Sequence, residues 1–320
     1  MQAQGVRRVA FQCDPMERLK PATDTTLLLA RLALEKGCEV FFYTPQNLTW
    51  REARITATGH KVTLDKEGRL MPGAPEVWDL ATLDVLWIRQ DPPFDMSYLT
   101  PTYILDHLAP HVCVVNDQRA LRTHPEKFIP LHFPDLMPAT CITCNLQEAL
   151  VFLGAHKEVV IKPLYGYAGR GIVRAANPEA LEAFWGTSQE VAGGEAVILQ
   201  EFLPQVFEGD RRFFLINGRL AGGFNKIPAS QEFRANLGLG GTPHPLTPSQ
   251  NEEALCARVG AFLKENNILF AGIDVVGEKL LEVNITSPTG IPAFNRLYKR
   301  RLEEDLWNAL VGPSEQNQNI

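Results

Sequence analysis

Gly272-Ile-Asp-Val-Val-Gly-Glu-Lys-Leu-Leu-Glu282-Val-Asn284 is the stretch whose reading decides the fold. Residues two apart on a strand share a face, so Glu282 and Asn284 project together. Asp274 joins them if Gly277-Glu278-Lys279 forms a three-residue loop, because Val276 then pairs with Leu280 and Asp274 lies opposite Glu282. A two-residue loop would pair Asp274 with Leu281 and send the acids to opposite faces. In the first register two carboxylates and an amide oxygen converge, and like charges that close need a cation between them. An all-oxygen donor set suits magnesium, with manganese as the alternative, and magnesium normally keeps waters and substrate phosphates as further ligands. The competing reading is the polar face of an exposed hairpin.

A metal that carries phosphates calls for a nucleotide site upstream. The chain has no Gly-x-x-x-x-Gly-Lys-Ser/Thr run and no dinucleotide fingerprint after its first strand, so it must use another device. The candidate is Ile161-Lys162-Pro-Leu-Tyr-Gly166-Tyr-Ala-Gly169-Arg-Gly171. A lysine ends one strand, and glycines let backbone N–H groups approach phosphate oxygens before the next strand begins. Gln200-Glu201-Phe202-Leu203-Pro204 offers an edge segment that could read an adenine ring. Gly209-Asp210-Arg211-Arg212 places a guanidinium on a strand, and alternation sends Arg211 and Arg212 to opposite faces. Phe224-Asn225-Lys226 leaves Lys226 either a phosphate contact or a solvated charge. Phe233-Arg234-Ala235-Asn236-Leu-Gly-Leu-Gly240-Gly241 combines positive charge with a loop able to close over substrate.

Around these segments the pattern is α/β, then α+β. Val6 to Phe11, Val40 to Tyr43, Asp84 to Ile88 and Cys113 to Val115 read as buried strands. A helix over Thr26 to Lys36, capped by Thr23 or Asp24 and ended by Gly37, and another over Tyr98 to His107 make the first layer a parallel α/β unit. Polar alternation in Arg54 to Lys66 suggests hairpin strands flanking Thr58-Gly59, and Met71-Pro-Gly-Ala-Pro75 reads as a loop. From about Arg122 antiparallel strands take over: Val159 to Lys162, Gly171 to Arg174, Ala196 to Gln200, and a hairpin turning at Asn217-Gly218. Pro178 to Trp185, Glu252 to Asn266 and a final stretch from Leu297 to Leu310 read as helices, the last followed by a polar tail. The resulting division is a first α/β domain over 1–121, a small lobe over 122–203, and a metal-bearing lobe over 204–320.

Composition excludes several classes. Hydrophobic content of 45% and charged content of 21% are those of an ordinary soluble globular protein, and a net charge of −6 argues against a general nucleic-acid or anionic-membrane binder. No run approaches the length of a membrane span, and Met1 to Arg8 lacks the apolar core of a signal peptide. A cytoplasmic protein is the consequence. Six cysteines are scattered, and Cys141-Ile-Thr-Cys144 has no second pair to complete a zinc site, so buried or half-buried free thiols are expected there. His107 and His111 read as surface histidines.

In this order, lysine, glycine loop, adenine segment, arginine, basic loop and Asp…Glu-x-Asn resemble the ATP-grasp superfamily, from Arg122 to Tyr298. Within it, Arg89 with Asp91-Pro-Pro-Phe-Asp95, Val115-Asn116, Leu121-Arg122, Glu126-Lys127 and Glu282-Val-Asn-Ile-Thr-Ser-Pro-Thr289 resemble the bacterial glutathione synthetase family. The resemblance implies a first domain preceding a two-lobed ATP-grasp fold with antiparallel sheets. It implies a cytosolic ligase that joins γ-glutamylcysteine to glycine at the expense of ATP, and a homo-oligomer, tetramer or dimer. It assigns Lys127, Lys162, Gly166, Gly169, Gln200, Glu201, Leu203 and Asp210 to ATP. Asp274, Glu282 and Asn284 fall to the metal, Arg212 to the transferred phosphate, and Arg89, Arg234, Ser287 and Thr289 to the other substrates, with Arg212 and Arg234 as the catalytic pair. Three positions depart from the family pattern: Tyr165 stands where many relatives have an aspartate, and Ala168 and Ala235 replace loop glycines. A different carboxylate–amine ligase of the superfamily, or a silent ATP-binding module, are the alternatives.

Overall fold

The computed structural model describes residues 5–166, 169–192, 195–230 and 232–312, with the backbone alone over 187–192. Ala168, the first four residues and the tail after Gly312 lie outside the described residues.

The first sheet contains β1 (Arg8–Gln12), β2 (Glu39–Tyr43), β3 (Leu48–Arg51), β4 (Arg54–Leu64), β5 (Leu70–Asp79), β6 (Val85–Ile88) and β7 (Cys113–Val115). Its order is β3-β4-β2-β1-β6-β7, with β5 on β4. Strands β2, β1, β6 and β7 are parallel, whereas β3, β4 and β5 extend the sheet antiparallel. Helix α1 (Thr25–Glu35) follows β1, and α2 (Met96–Leu105) and α3 (Gln118–Thr123) flank β7. The apolar run of β1 is buried on both faces, as a parallel strand covered on two sides requires. Val9 and Phe11 pack with Leu29 and Leu32 of α1, while Ala10 faces Leu105 of α2 and Leu121 of α3. Asp24 caps α1, its carboxylate accepting from the Thr26 and Leu27 N–H groups at 2.6 and 3.0 Å.

Two sequence expectations fail in this sheet. No turn forms at Thr58-Gly59, because β4 runs straight through; a Cβ on Gly59 would meet the Phe42 carbonyl oxygen at 2.1 Å. That glycine marks close backbone approach to β2, not a bend. Met71 to Pro75 is not a loop but part of β5, whose one strand partner is β4 among the described residues, so its prolines sit on an edge that tolerates them.

The second sheet, β10-β9-β11-β8, is antiparallel and built from β8 (Thr140–Thr143), β9 (Val159–Pro163), β10 (Val173–Ala175) and β11 (Val197–Glu201). Helices α4 (Leu146–His156) and α5 (Pro178–Ala192) cover one face with a core of its own, in which Val159 and Ile161 meet Leu153, Leu181 and Trp185. Alternation turns Val160 and Lys162 to the opposite face. Cys141 is half-buried, but Cys144 lies exposed just past the strand end, a correction to the expectation of covered thiols.

The third sheet has the order β14-β13-β12-β15-β16. Its strands are β12 (Asp210–Ile216), β13 (Arg219–Ile227), β14 (Thr242–His244), β15 (Phe270–Val276) and β16 (Lys279–Asn284). Asn217 and Gly218, with φ of 48° and 74°, make the tight turn between β12 and β13. Helix α6 (Gln250–Glu265) begins with a capping box between Ser249 and Glu252. The final helical stretch is two helices, α7 (Ile291–Tyr298) and α8 (Leu302–Val311), because Lys299 takes a left-handed φ of 53°. Phe213, Ile273 and Val283 of this sheet share one continuous core with Leu86 and Ile88 of β6 and Leu121 of α3. The first and third sheets are thus packed together, while the second stands on its own hydrophobic cluster.

Gly260 in α6 lies against the β12–β13 turn, where an added Cβ would meet the Gly218 carbonyl oxygen at 2.1 Å. Alanine gains about 1 kcal/mol in helix propensity, but overpacking against backbone costs about 1–3 kcal/mol. Gly260→Ala is therefore expected to lower the denaturant midpoint in chemical unfolding, despite improving the isolated helix.

Candidate nucleotide and metal site

The deciding hairpin reaches the expected pairing by another route. The β15–β16 turn has two residues, Gly277 and Glu278, both at positive φ, and Val276 pairs with Lys279. This corrects the three-residue loop. Left alone, that turn would put Asp274 opposite Leu281. A bulge between Asp274 and Val275 absorbs one residue of β16, so Asp274 pairs with Glu282 and Gly272 with Asn284. The acids share a face because two local features cancel.

The same face carries a row of charged side chains across four strands, cations and acids interleaved until it ends on two acids side by side. Lys226 of β13 pairs with Asp210 of β12, Arg212 of β12 with Asp274 of β15, and Asp274 with Glu282 of β16. The Arg212 guanidinium donates to both Asp274 carboxylate oxygens, from Nε at 2.7 Å and Nη2 at 2.8 Å, and from Nη1 to the Thr289 carbonyl at 3.1 Å. Lys226 Nζ lies 2.8 Å from both Asp274 Oδ1 and Asp210 Oδ2. Asn284 Nδ2 donates to Asp274 Oδ2 at 3.1 Å. Lys127 pairs with Glu282 at 3.3 Å and donates to the Gly166 carbonyl. Lys162 donates to Gln200 Oε1 at 2.6 Å, holding the end of β9 to β11. Glu126 accepts from the Ile285 and Thr286 N–H groups at 2.7 and 2.9 Å, which ties the segment after α3 to the end of β16.

Burial and neighbouring charge set the protonation of this row. Burial alone would push Asp274 up, but Arg212 and Lys226 outweigh it and hold the carboxyl well below the ordinary range. Burial, with Asp274 nearby, pushes Asp210 up to about 6 even beside Lys226. Burial lowers Lys162, opposed by Glu282. Burial and the Glu282 charge raise Glu126. A raised Asp210 means the folded chain holds that proton more tightly than the unfolded chain. Its contribution to stability is full below the ordinary value of 3.8 and is lost as pH rises through about 6. Unfolding midpoints of Asp210→Asn and the parent chain, compared between pH 4 and 6, are expected to diverge in the variant's favour as pH rises.

A cleft of about 300 Å³ opens over this face. Lys162, Gly169, Gln200, Glu201, Leu203, Asp210, Arg212, Arg234, Asp274, Glu282, Asn284, Ser287 and Thr289 line it. Lys127 and Gly166 lie next door, around a smaller pocket that shares Glu126 and Thr286 with the cleft. Arg89 lies behind the wall instead of on it. It is buried, donates from Nε to Thr26 Oγ1 at 3.2 Å and from Nη2 to the Pro288 carbonyl at 3.0 Å, and its Nη1 is buried without a protein partner. Arg234 is held by Glu232 at 2.6 Å and by the Gly169 carbonyl at 3.2 Å. Arg211, on the opposite face of β12, pairs with Glu252.

Sequence reasoning left out the apolar wall of Val160, Ile172, Val206, Val276 and Leu281, and did not decide Lys226. Val160 could have been found, since it stands two residues before Lys162 on β9. Leu281 could not, because a bulge residue carries no periodic signal.

Asp274, Glu282 and Asn284 offer oxygen donors on one face, and their chemistry fits a hard divalent cation. Among the described residues no group of three or more His, Cys, Asp and Glu has the geometry to hold a metal; this set counts two carboxylates and an amide.

Two family models match the chain: residues 8–122 match the prokaryotic glutathione synthetase N-terminal domain, and residues 126–299 its ATP-grasp domain. The chain belongs to the prokaryotic glutathione synthetase family. The glutathione synthetase of Agrobacterium fabrum is 37% identical over 312 residues, covering 95% of this chain and 96% of that one. The glutathione synthetase of Prochlorococcus marinus is 38% identical over 295 residues, covering 91% and 94%. Among solved structures, D-alanyl-alanine synthetase A from Vibrio cholerae matches with a TM-score of 0.63 at 13% identity, over 96% of this chain and 98% of that one. The ATP-grasp ligase PsnB, complexed with minimal precursor, Mg and ADP, matches with a TM-score of 0.59 at 13% identity, over 95% and 97%. These two show the fold, and the family's ATP-grasp architecture is the one described above.

Proposed function

We propose that this chain is an ATP-dependent carboxylate–amine ligase that joins γ-glutamylcysteine to glycine, releasing glutathione, ADP and phosphate. The observation that carries the reading is the charged row Lys226, Asp210, Arg212, Asp274 and Glu282 beside an apolar wall, flanked by Lys127 and Lys162. The adenine ring fits the apolar end beside Gln200, Glu201 and Leu203. The phosphates fit the end where four cationic side chains gather. Lys127, Arg212 and Lys226 each contact a carboxylate of the row, and Lys162 contacts the Gln200 amide oxygen.

A carboxylate is a poor electrophile and must be activated. Attack of the dipeptide carboxylate on the γ-phosphate gives an acylphosphate, and the glycine amine then displaces phosphate. Such chemistry rests on positioning and charge neutralisation, and needs no side-chain nucleophile. Arg212, fixed by its two-pronged contact with Asp274, is aimed to stabilise charge on the transferred group. Arg234, Ser287 and Thr289 line the end left for the dipeptide and glycine, with Arg89 supporting that wall through the Pro288 carbonyl. The basic segment around Arg234 and the glycine turn at Gly166 to Gly171 would exclude water that hydrolyses the intermediate. Asp274, Glu282 and Asn284 would hold magnesium, or manganese in its place, which when bound neutralises phosphate charge.

The domain reading goes with this function: 1–121 carries the substrate wall, 122–203 the movable lobe, and 204–320 the charged row. The independent core of the second sheet supports that division. A homo-oligomer, tetramer or dimer, in the cytoplasm belongs to the same reading. Among the described residues no helix is long and apolar enough to cross a membrane.

Phosphate release from purified protein with ATP and magnesium, varying acceptor and amine, tests the proposal. Turnover is expected only when γ-glutamylcysteine and glycine are both present. Activity with a different pair would move the reading to another ligase of the superfamily, and binding of ATP without turnover on any pair would make it a silent module.

A further inference from the structure

The glycine turn after β9 is fastened to the rest of the molecule at three described points. Gly166 O accepts from Lys127, and Gly169 O accepts from Arg234 Nη1. The third fastening is aromatic. The Tyr165 ring stacks on Phe94, with centroids 6.3 Å apart and planes inclined by 21°. Phe94 in turn meets Tyr98 at 5.3 Å, and Tyr98 is buried in the first domain on α2. Tyr98, Phe94 and Tyr165 thus run as a line of rings from the first domain's interior to the glycine turn. Phe94, Tyr165, Lys127 and Gly166 wall the same small pocket.

The three fastenings differ in what a ligand does to them. Lys127 and Arg234 are cations in the proposed site, so bound phosphates or carboxylates compete with the carbonyls they now contact. A ring stack is indifferent to that charge. Tyr165 is 37% exposed, and its ring contact among the described residues is to Phe94, which lies between β6 and α2.

We propose that the Tyr165–Phe94 stack is a latch that keeps Gly166 and Gly169, the described glycines flanking the turn's centre, in place against bound nucleotide, making Tyr165 a positioning residue. The proposal rests on the nucleotide reading of the cleft, though not on the identity of the amine or acid joined there.

The test is the dissociation rate of a fluorescent ATP analogue with magnesium and no second substrate, for the parent chain, Tyr165→Phe, Tyr165→Ala, Phe94→Ala and the double alanine variant. Tyr165→Phe keeps the ring and is expected to match the parent. Each single alanine variant is expected to release nucleotide about 2- to 12-fold faster, the range spanned by an aromatic pair. The double variant is expected to be no faster than the faster single one. Unchanged release from Tyr165→Ala, a Tyr165→Phe variant as fast as alanine, or effects that multiply in the double variant would each overturn the latch. Thermal melts that coincide across the set separate these rates from a folding defect. A parent chain that binds nucleotide but forms no glutathione would defeat the substrate reading and leave this comparison standing.

Discussion

Glu282→Gln is expected to lower turnover with γ-glutamylcysteine, glycine, ATP and magnesium by at least about a hundredfold, the scale on which one well-placed electrostatic group acts. The substitution is isosteric and removes one negative charge from the donor set. Glu282 is only half-buried and its ion pair with Lys127 spans 3.3 Å, so little stability depends on it. A partly exposed pair contributes at most about 1 kcal/mol. Circular dichroism and melting temperature should therefore stay close to those of the parent while product formation collapses. Near-normal turnover would remove Glu282 from the proposed metal site. Supplementing the assay with more magnesium should recover part of the loss if the defect lies in cation affinity.

Arg212→Met is expected to damage both stability and catalysis. It leaves Asp274 buried with one cation, Lys226, shared with a second buried carboxylate, Asp210. Removing one partner of a buried pair costs about 3–5 kcal/mol, and the remaining Lys226 and Asn284 contacts place this case near the lower end. Turnover should fall about a thousandfold, as when an arginine that stabilises a moving phosphoryl group is lost. Asp274→Asn in the same chain removes the stranded charge, so the double variant should regain most of the unfolding midpoint and none of the activity. The pH dependence has a definite sign. In the parent chain Asp274 is held below the ordinary carboxylate range, so its stabilisation is present above pH 3.8 and lost as pH falls further. The stability gap between parent and Arg212→Met should be widest at neutral pH and narrow in acid. An equal gap at every pH, or no gap, would mean the guanidinium is not the group that holds Asp274 ionised.

The β-strand alternation of Glu282 and Asn284, the lysine before a glycine turn, and the opposed faces of Arg211 and Arg212 are local properties of the chain, and the structure reproduces each. Helix α1 began at its aspartate cap for the same reason: one side chain satisfies two N–H groups within its own turn. Errors arose where the deciding contact came from elsewhere in the chain. Gly59 looked like a turn residue, but it is glycine because β2 passes within reach of any Cβ. Pro72 and Pro75 looked like loop residues, but an edge strand does not need their missing N–H groups. At the metal hairpin the turn was misjudged and the pairing still held, because a bulge restored the register that the shorter turn removed. Lys226 stayed undecided because its charge has meaning only beside Asp210 and Asp274, on strands fixed 16 and 48 positions away by contacts of 2.8 Å.

By itself the sequence determined the chemical types in the site: which segments bear oxygens, which bear cations, and in what order along the chain. Periodicity and capping act over a few residues, so one chain suffices to read them. Only the tertiary structure decided that five charged side chains line up across four strands, that Arg89 stands behind the cleft wall, and that the rings of Tyr165 and Phe94 meet. Those are distances between segments remote in sequence, set by sheet register and domain packing, and no local pattern encodes them.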